Sequence, residues 1–146
     1  MNDIIIREMT AVDIGAVCDI EKSSFKTPWS EGAVCDEINK SYSRYFTALC
    51  GDEIVGFAGV WCIQETAELV RIAVAPEFLR RGIGGMLISE VFAHAKNSGC
   101  ERIMLEVRKN NAPAVNLYKK HKFREITVRK GYYDGEDALI MEAATE

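Results

Sequence analysis

An α+β fold of seven strands and four helices follows from three features of this sequence. Short apolar runs bounded by turn residues read as strands. Apolar residues at helical spacing recur between them, most extensively over 82–97. In the second half the two patterns alternate, which predicts two β-α-β crossovers.

The elements follow in order. A strand over 4–9 leads to Thr10, an N-cap with Asp13 placed to reach back to it. The helix over 11–22 carries Ile14, Val17, Cys18 and Ile20 on one stripe. Phe25 to Trp29, with Pro28, breaks it, and Ser30 caps a second helix reaching about Asn39. Strands over 42–50, 54–63 and 65–74 are close enough for an antiparallel meander, which Pro76 ends. The helix over 82–97 stops at Gly99. A strand over 102–107, a helix from Asn110 or Asn111 to about Lys120, and strands over 123–130 and 138–143 complete the chain.

With 146 residues, 48% hydrophobic and 27% charged, one domain spanning 1–146 is expected, with a core large enough to fold without staples. The net charge of −4 argues against a protein that coats nucleic acid. No stretch is apolar enough to span a bilayer, and the first residues lack the basic region and apolar core of a signal peptide. A cytoplasmic protein without a membrane or nucleic-acid partner is expected; the sequence leaves the oligomeric state open, a monomer included. Five scattered cysteines form no CxxC pair, and His94 and His121 keep no ligand spacing with them. Reduced thiols and no metal site are therefore expected.

The candidate ligand loop is Leu79-Arg80-Arg81-Gly82-Ile83-Gly84-Gly85, between a strand and the longest helix. Glycines admit a close backbone approach, a helix start offers free N–H groups, and two arginines add charge. A diphosphate is the natural guest; the alternative is a helix start whose glycines only relieve crowding. A Walker loop is excluded because Met86 follows Gly85, and a dinucleotide fingerprint because Leu87 stands where its third glycine would be.

Ile72-Ala73-Val74-Ala75-Pro76 followed by Arg80-Arg81-Gly82-Ile83-Gly84 resembles the acyl-CoA-binding segment of the GCN5-related N-acetyltransferases. Leu105 to Arg108, Asn110-Asn111, Ala114 to Tyr118, Gly135 to Met141 and Phe25-x-x-Pro28-Trp29-Ser30 further resemble the bacterial subfamily that acetylates the N-terminal alanine of ribosomal protein S18. The resemblance covers nearly the whole chain. It implies an α/β/α architecture: a mixed, mostly antiparallel seven-stranded sheet flanked by four helices. It implies acetyl-CoA as co-substrate, no metal, and the N-terminus of S18 or of another protein as acceptor. Leu79 departs from the Arg or Gln common in the family, and the hairpin at Asp134-Gly135 is shorter than in some relatives.

Amine acetylation needs a neutral amine, support for the developing oxyanion and a proton for the departing thiolate. At pH 7 roughly a tenth of a free α-amine is neutral, against well under a thousandth of lysine. By chemistry alone Glu106 is either a base or one member of a polar strand face with Arg102, Met104 and Arg108. Tyr118 is either a proton donor or an aromatic core residue. The resemblance implies base for Glu106, through a water, and acid for Tyr118. It implies coenzyme contacts for Ile72, Ala73 and Val74 through their backbone, for Arg80, Arg81, Gly82, Ile83, Gly84 and Gly85, and for Asn111, which is also a candidate N-cap. Trp29, Tyr132, Tyr133 and Asp134 are the candidate acceptor groove, with a core anchor as the alternative for Trp29. A transferase for lysine, a polyamine or another small amine remains open, as does a non-catalytic acyl-CoA-binding module.

Overall fold

A computed structural model describes residues 3–146, apart from the side chain of Tyr133. The elements are β1 (Ile4–Glu8), α1 (Ile14–Ser24), α2 (Glu31–Ile38), β2 (Ser43–Cys50), β3 (Glu53–Ile63), β4 (Thr66–Val74), α3 (Ile83–Asn97), β5 (Arg102–Arg108), α4 (Ala112–Lys120), β6 (Arg124–Tyr133) and β7 (Glu136–Ala144). Short 3-10 turns at Ala11–Asp13 and Pro76–Phe78 precede α1 and follow β4. The first expected helix therefore opens with a tighter turn.

Local chemistry sets the boundaries. The Asp13 carboxylate accepts from the Thr10 N–H at 2.8 Å and from Arg7 at 2.7 and 2.9 Å, so one side chain starts α1 and ties it to β1. Ser30 Oγ accepts from the Ala33 N–H at 3.1 Å and opens α2. Asn111 Oδ1 does the same for α4, accepting from Ala114 at 3.3 Å.

The strands form one sheet in the order β1-β2-β3-β4-β5-β7-β6. β1 to β4 are an antiparallel meander, β4 and β5 are parallel, and β7 is antiparallel to both neighbours. The two crossovers differ. The one through α3 sets β5 beside β4, whereas the one through α4 leaves a one-strand gap that β7 fills.

The sheet separates two apolar cores. On one face, α3 and α4 bring Ile83, Leu87, Ile88 and Tyr118 onto Ile103, Leu105 and Val107 of β5. On the other, α1 and α2 bring Val17, Ile20 and Val34 onto Tyr45, Phe57 and Ala73. Full burial of each large aliphatic side chain contributes about 1.5–3 kcal/mol. Because Ile103, Leu105 and Val107 face α3 and α4, strand alternation turns Glu106 toward the α1–α2 side.

Candidate active site

The central feature is a fork between two parallel strands. β4 pairs with β3 along its length, up to Gly56 opposite Val74. With β5 it pairs only at Thr66, Ala67 and Glu68, opposite Arg102, Ile103 and Met104. Beyond that point β5 follows β7 instead. From Leu69 onward the β5-facing edge of β4 has no strand partner among the described residues. A register shift at Gly59/Val60, which leaves Val70 unpaired with β3, falls where the strands part. A cavity of about 770 Å³ occupies the fork, with residues of both strands, α4, the α1–α2 connection and the β6–β7 hairpin around it.

Glu106 and Tyr118 both line this cavity. Glu106 is half-buried, and its Oε1 lies 3.2 Å from Arg129 Nη1 on β6. Tyr118 is buried on α4, its ring edge-on to Phe123 at 5.8 Å. Ile72, Asn111, Tyr132 and Asp134 line the cavity too. Asn111 makes its capping bond and also lines the cavity. The side chain of Tyr133 lies outside the described residues.

Other expected residues stand away from the cavity lining. The Ala73 side chain belongs to the α1–α2 core and that of Val74 packs against the α3 core, which leaves their backbone as the available surface. The turn into α3 has left-handed backbone at Arg80 (φ 64°) and Gly82 (φ 79°). A Cβ on Gly82 would meet nothing within 4 Å, so this glycine answers to backbone conformation and to open space in front of the helix start. Arg81 lies over the Phe78 ring at 4.9 Å. Ile83 is a core side chain. Gly84 and Gly85 allow close packing: a Cβ on them would come within 3.2 Å of Leu117 on α4 and 3.0 Å of His121, which caps that helix. Trp29 packs against the α1–α2 core, its ring 6.5 Å from Tyr45.

Several cavity residues escaped the sequence reading. Arg71 lines the cavity from β4, where it interrupts an apolar run. Its Nε and Nη2 donate to Glu21 at 2.9 and 2.7 Å. Glu21 is fully buried on the apolar stripe of α1, and that position was the available signal: a carboxylate there requires a partner. On the opposite wall Glu136 accepts from Asn110 at 3.0 Å and pairs with Arg108. Those two partners, Asn110 first, hold its carboxyl below the usual range. Glu68, exposed at the apex of the fork and outside the cavity lining, has its carboxyl pushed up by partial desolvation first and then by the charges of Glu106 and Glu37.

All five cysteines are free thiols. Among the described residues no helix is long and apolar enough to cross a membrane, and no three His, Cys, Asp or Glu side chains gather as metal ligands.

The acetyltransferase (GNAT) family model matches residues 14–123. The [ribosomal protein bS18]-alanine N-acetyltransferase of Salmonella typhimurium is 34% identical over 145 residues, covering 97% of this chain and 96% of that one. The Escherichia coli K12 protein of the same name is 34% identical over 140 residues, covering 93% and 94%. The crystal structure of the ribosomal-protein-S18-alanine N-acetyltransferase from Escherichia coli superposes with a TM-score of 0.91 at 30% identity, over 99% of this chain and 95% of that one.

Proposed function

Because the chain belongs to the acetyltransferase (GNAT) family, we propose that it transfers an acetyl group from acetyl-CoA to the N-terminal α-amine of a protein. The acceptor we assign is the N-terminal alanine of ribosomal protein S18, following the names of full-length relatives. We take 1–146 to work as one domain in the cytoplasm, a setting with which five free thiols agree.

The observation that carries the proposal is the fork. Unpaired N–H and C=O groups on β4 suit the amide-bearing pantetheine arm, which adds to them as another strand would. Ile72, Ala73 and Val74 act here through their backbone. The left-handed turn at Arg80 and Gly82, followed by the free N–H groups of α3, suits a diphosphate, with Arg80 and Arg81 nearby. Asn111 sits at the α4 rim for a further coenzyme contact.

The coenzyme supplies the acetyl thioester. Glu106 takes a proton from the acceptor amine, directly or through one water, as its nitrogen bonds to the acetyl carbon. A β4 N–H supports the charge growing on the acetyl oxygen. Tyr118 gives its hydroxyl proton to the sulfur as the carbon–sulfur bond breaks; an ordinary phenol, near pKa 10, carries that proton at neutral pH. Tyr132 and Asp134 flank the acceptor, with Tyr133 beside them in sequence and Trp29 behind the wall.

Intact-mass analysis with acetyl-CoA tests this. The acceptors are an Ala-starting peptide, its N-terminally blocked copy with an internal lysine, and spermidine. One acetyl group on the free peptide alone is expected. Equal modification of the blocked copy would identify a lysine transferase, and rapid spermidine turnover a small-amine enzyme. Coenzyme binding without any transfer would identify a non-catalytic acyl-CoA module.

A further inference from the structure

Arg71 is held more rigidly than a surface arginine. Glu21 receives two of its hydrogen bonds, and Nη2 also reaches the Thr27 carbonyl at 3.4 Å. The guanidinium lies over the rings of Phe25 at 3.7 Å and Trp29 at 4.4 Å. Glu21 in turn accepts from the Trp29 N–H at 2.8 Å. Nε and Nη2 are thus occupied, while Nη1 makes no hydrogen bond among the described residues.

Arg71 shares the cavity with Glu106, on the other arm of the fork. Both side chains belong to the α1–α2 face of the sheet, since Arg71 meets α1 and Glu106 lies opposite the α3-facing residues of β5. Tyr118 comes from the α3–α4 face. A guanidinium carries no acceptor, so Nη1 can only donate. A donor fixed by a buried carboxylate and two rings is preorganised, and its charge opposes a second cation beside it.

We propose that Arg71 selects an α-amine by donating from Nη1 to the carbonyl oxygen of the acceptor's first residue, with Glu21 as the positioning residue that holds it. The inference rests on the N-terminal acceptor proposed above. An α-amine carries a carbonyl two bonds from its nitrogen, so Glu106 and Arg71 grip neighbouring atoms of one residue. A lysine side chain or a polyamine offers only methylenes there, and a polyamine adds further ammonium groups that the guanidinium repels.

The test is a cycle of two acceptors and three enzymes. One acceptor is an Ala-starting peptide; the other replaces its first amide by an E-alkene, which keeps the shape and removes the oxygen. The enzymes are wild type, Arg71→Lys and the double variant Glu21→Gln/Arg71→Gln. The lysine variant keeps a charge on Glu21 and loses the fork; the double variant leaves no unpaired buried charge if the first is unstable. Both should keep wild-type coenzyme affinity. The preference in kcat/KM for the amide over the alkene should shrink about tenfold to a hundredfold in the variants, the range of a hydrogen bond to a charged group. An unchanged preference, or an equal loss on both acceptors, would reduce Arg71 to a structural clamp and overturn the proposal. Failure of the wild type on the peptide itself would instead take down the N-terminal acceptor and this inference with it.

Discussion

Glu106 and Tyr118 meet the same cavity from opposite faces of the sheet. Glu106 projects from β5 toward the α1–α2 side, and Tyr118 rises from α4 within the α3–α4 core. Ordinary paired strands would put a wall between them. Here β4 and β5 separate after Glu68 and Met104, and the fork becomes a passage through the sheet. The proposed base on one side and the proposed acid on the other suit a reaction in which the amine enters from one face and the thiolate leaves toward the other.

Tyr118→Phe removes one hydroxyl and keeps the edge-on contact of the ring with Phe123. Coenzyme affinity should change little. The single-turnover rate should fall by about 10²-fold or more, the typical contribution of a positioned acid. Rapid quench with the Ala-starting peptide checks it, and a wild-type rate would remove Tyr118 from the chemistry.

Gly82→Val changes a residue with φ 79° whose added Cβ meets open space. The cost is backbone strain, roughly 1–2 kcal/mol for an L-residue in left-handed conformation. The protein should still fold. Coenzyme affinity should drop at least about tenfold, because the branched side chain stands before the helix start where the diphosphate is placed. Calorimetry on the folded variant decides it; unchanged affinity would move the diphosphate elsewhere.

Much of this chain is legible before folding because its signals are local. Thr10 with Asp13, Ser30, Asn111 and the glycines at 82 and 99 mark boundaries through bonds or dihedrals within a few residues. Glu106 and Tyr118 stay ambiguous by residue type and pattern, and only the family resemblance singles them out. What stays hidden depends on which distant segments meet. Nothing local says that β7 fills the gap between β5 and β6, or that β4 leaves β5 after three residue pairs. Glu21 and Arg71 are fifty positions apart, and each looks like a blemish in an apolar pattern until the other is beside it. Gly84 and Gly85 read as anion-loop glycines, and their close approach to Leu117 and His121, at a helix formed later in the chain, is a second constraint that the local sequence does not carry.

The acid stability of the fold should depend on Arg7 and Asp13. Hydrogen bonding from Arg7, together with the Thr10 N–H, holds the Asp13 carboxyl below its ordinary value against the opposing effect of burial. A depressed carboxylate pKa contributes stability that is present above the unfolded value, near pH 4, and lost as pH falls through the folded value. Arg7→Met should therefore be less stable than wild type at pH 7, by roughly 1–2 kcal/mol. The two proteins should converge as the pH falls below about 4. Urea unfolding across that range checks it, and a constant gap down to pH 3 would contradict the linkage.

The claim on which the rest depends is that Glu106 removes the acceptor's proton across the fork. The most direct measurement is the single-turnover acetylation rate of an Ala-starting peptide by wild type and Glu106→Gln, followed from pH 6 to pH 9 by rapid quench and intact mass. Glu106→Gln should bind acetyl-CoA as wild type does and run about 10²–10⁴-fold slower near neutrality. Its rate should recover as the pH climbs past the α-amine pKa near 8, where the acceptor deprotonates unaided. Wild-type rates at every pH, with chemistry limiting, would leave Glu106 as nothing more than the partner of Arg129 on a polar strand face.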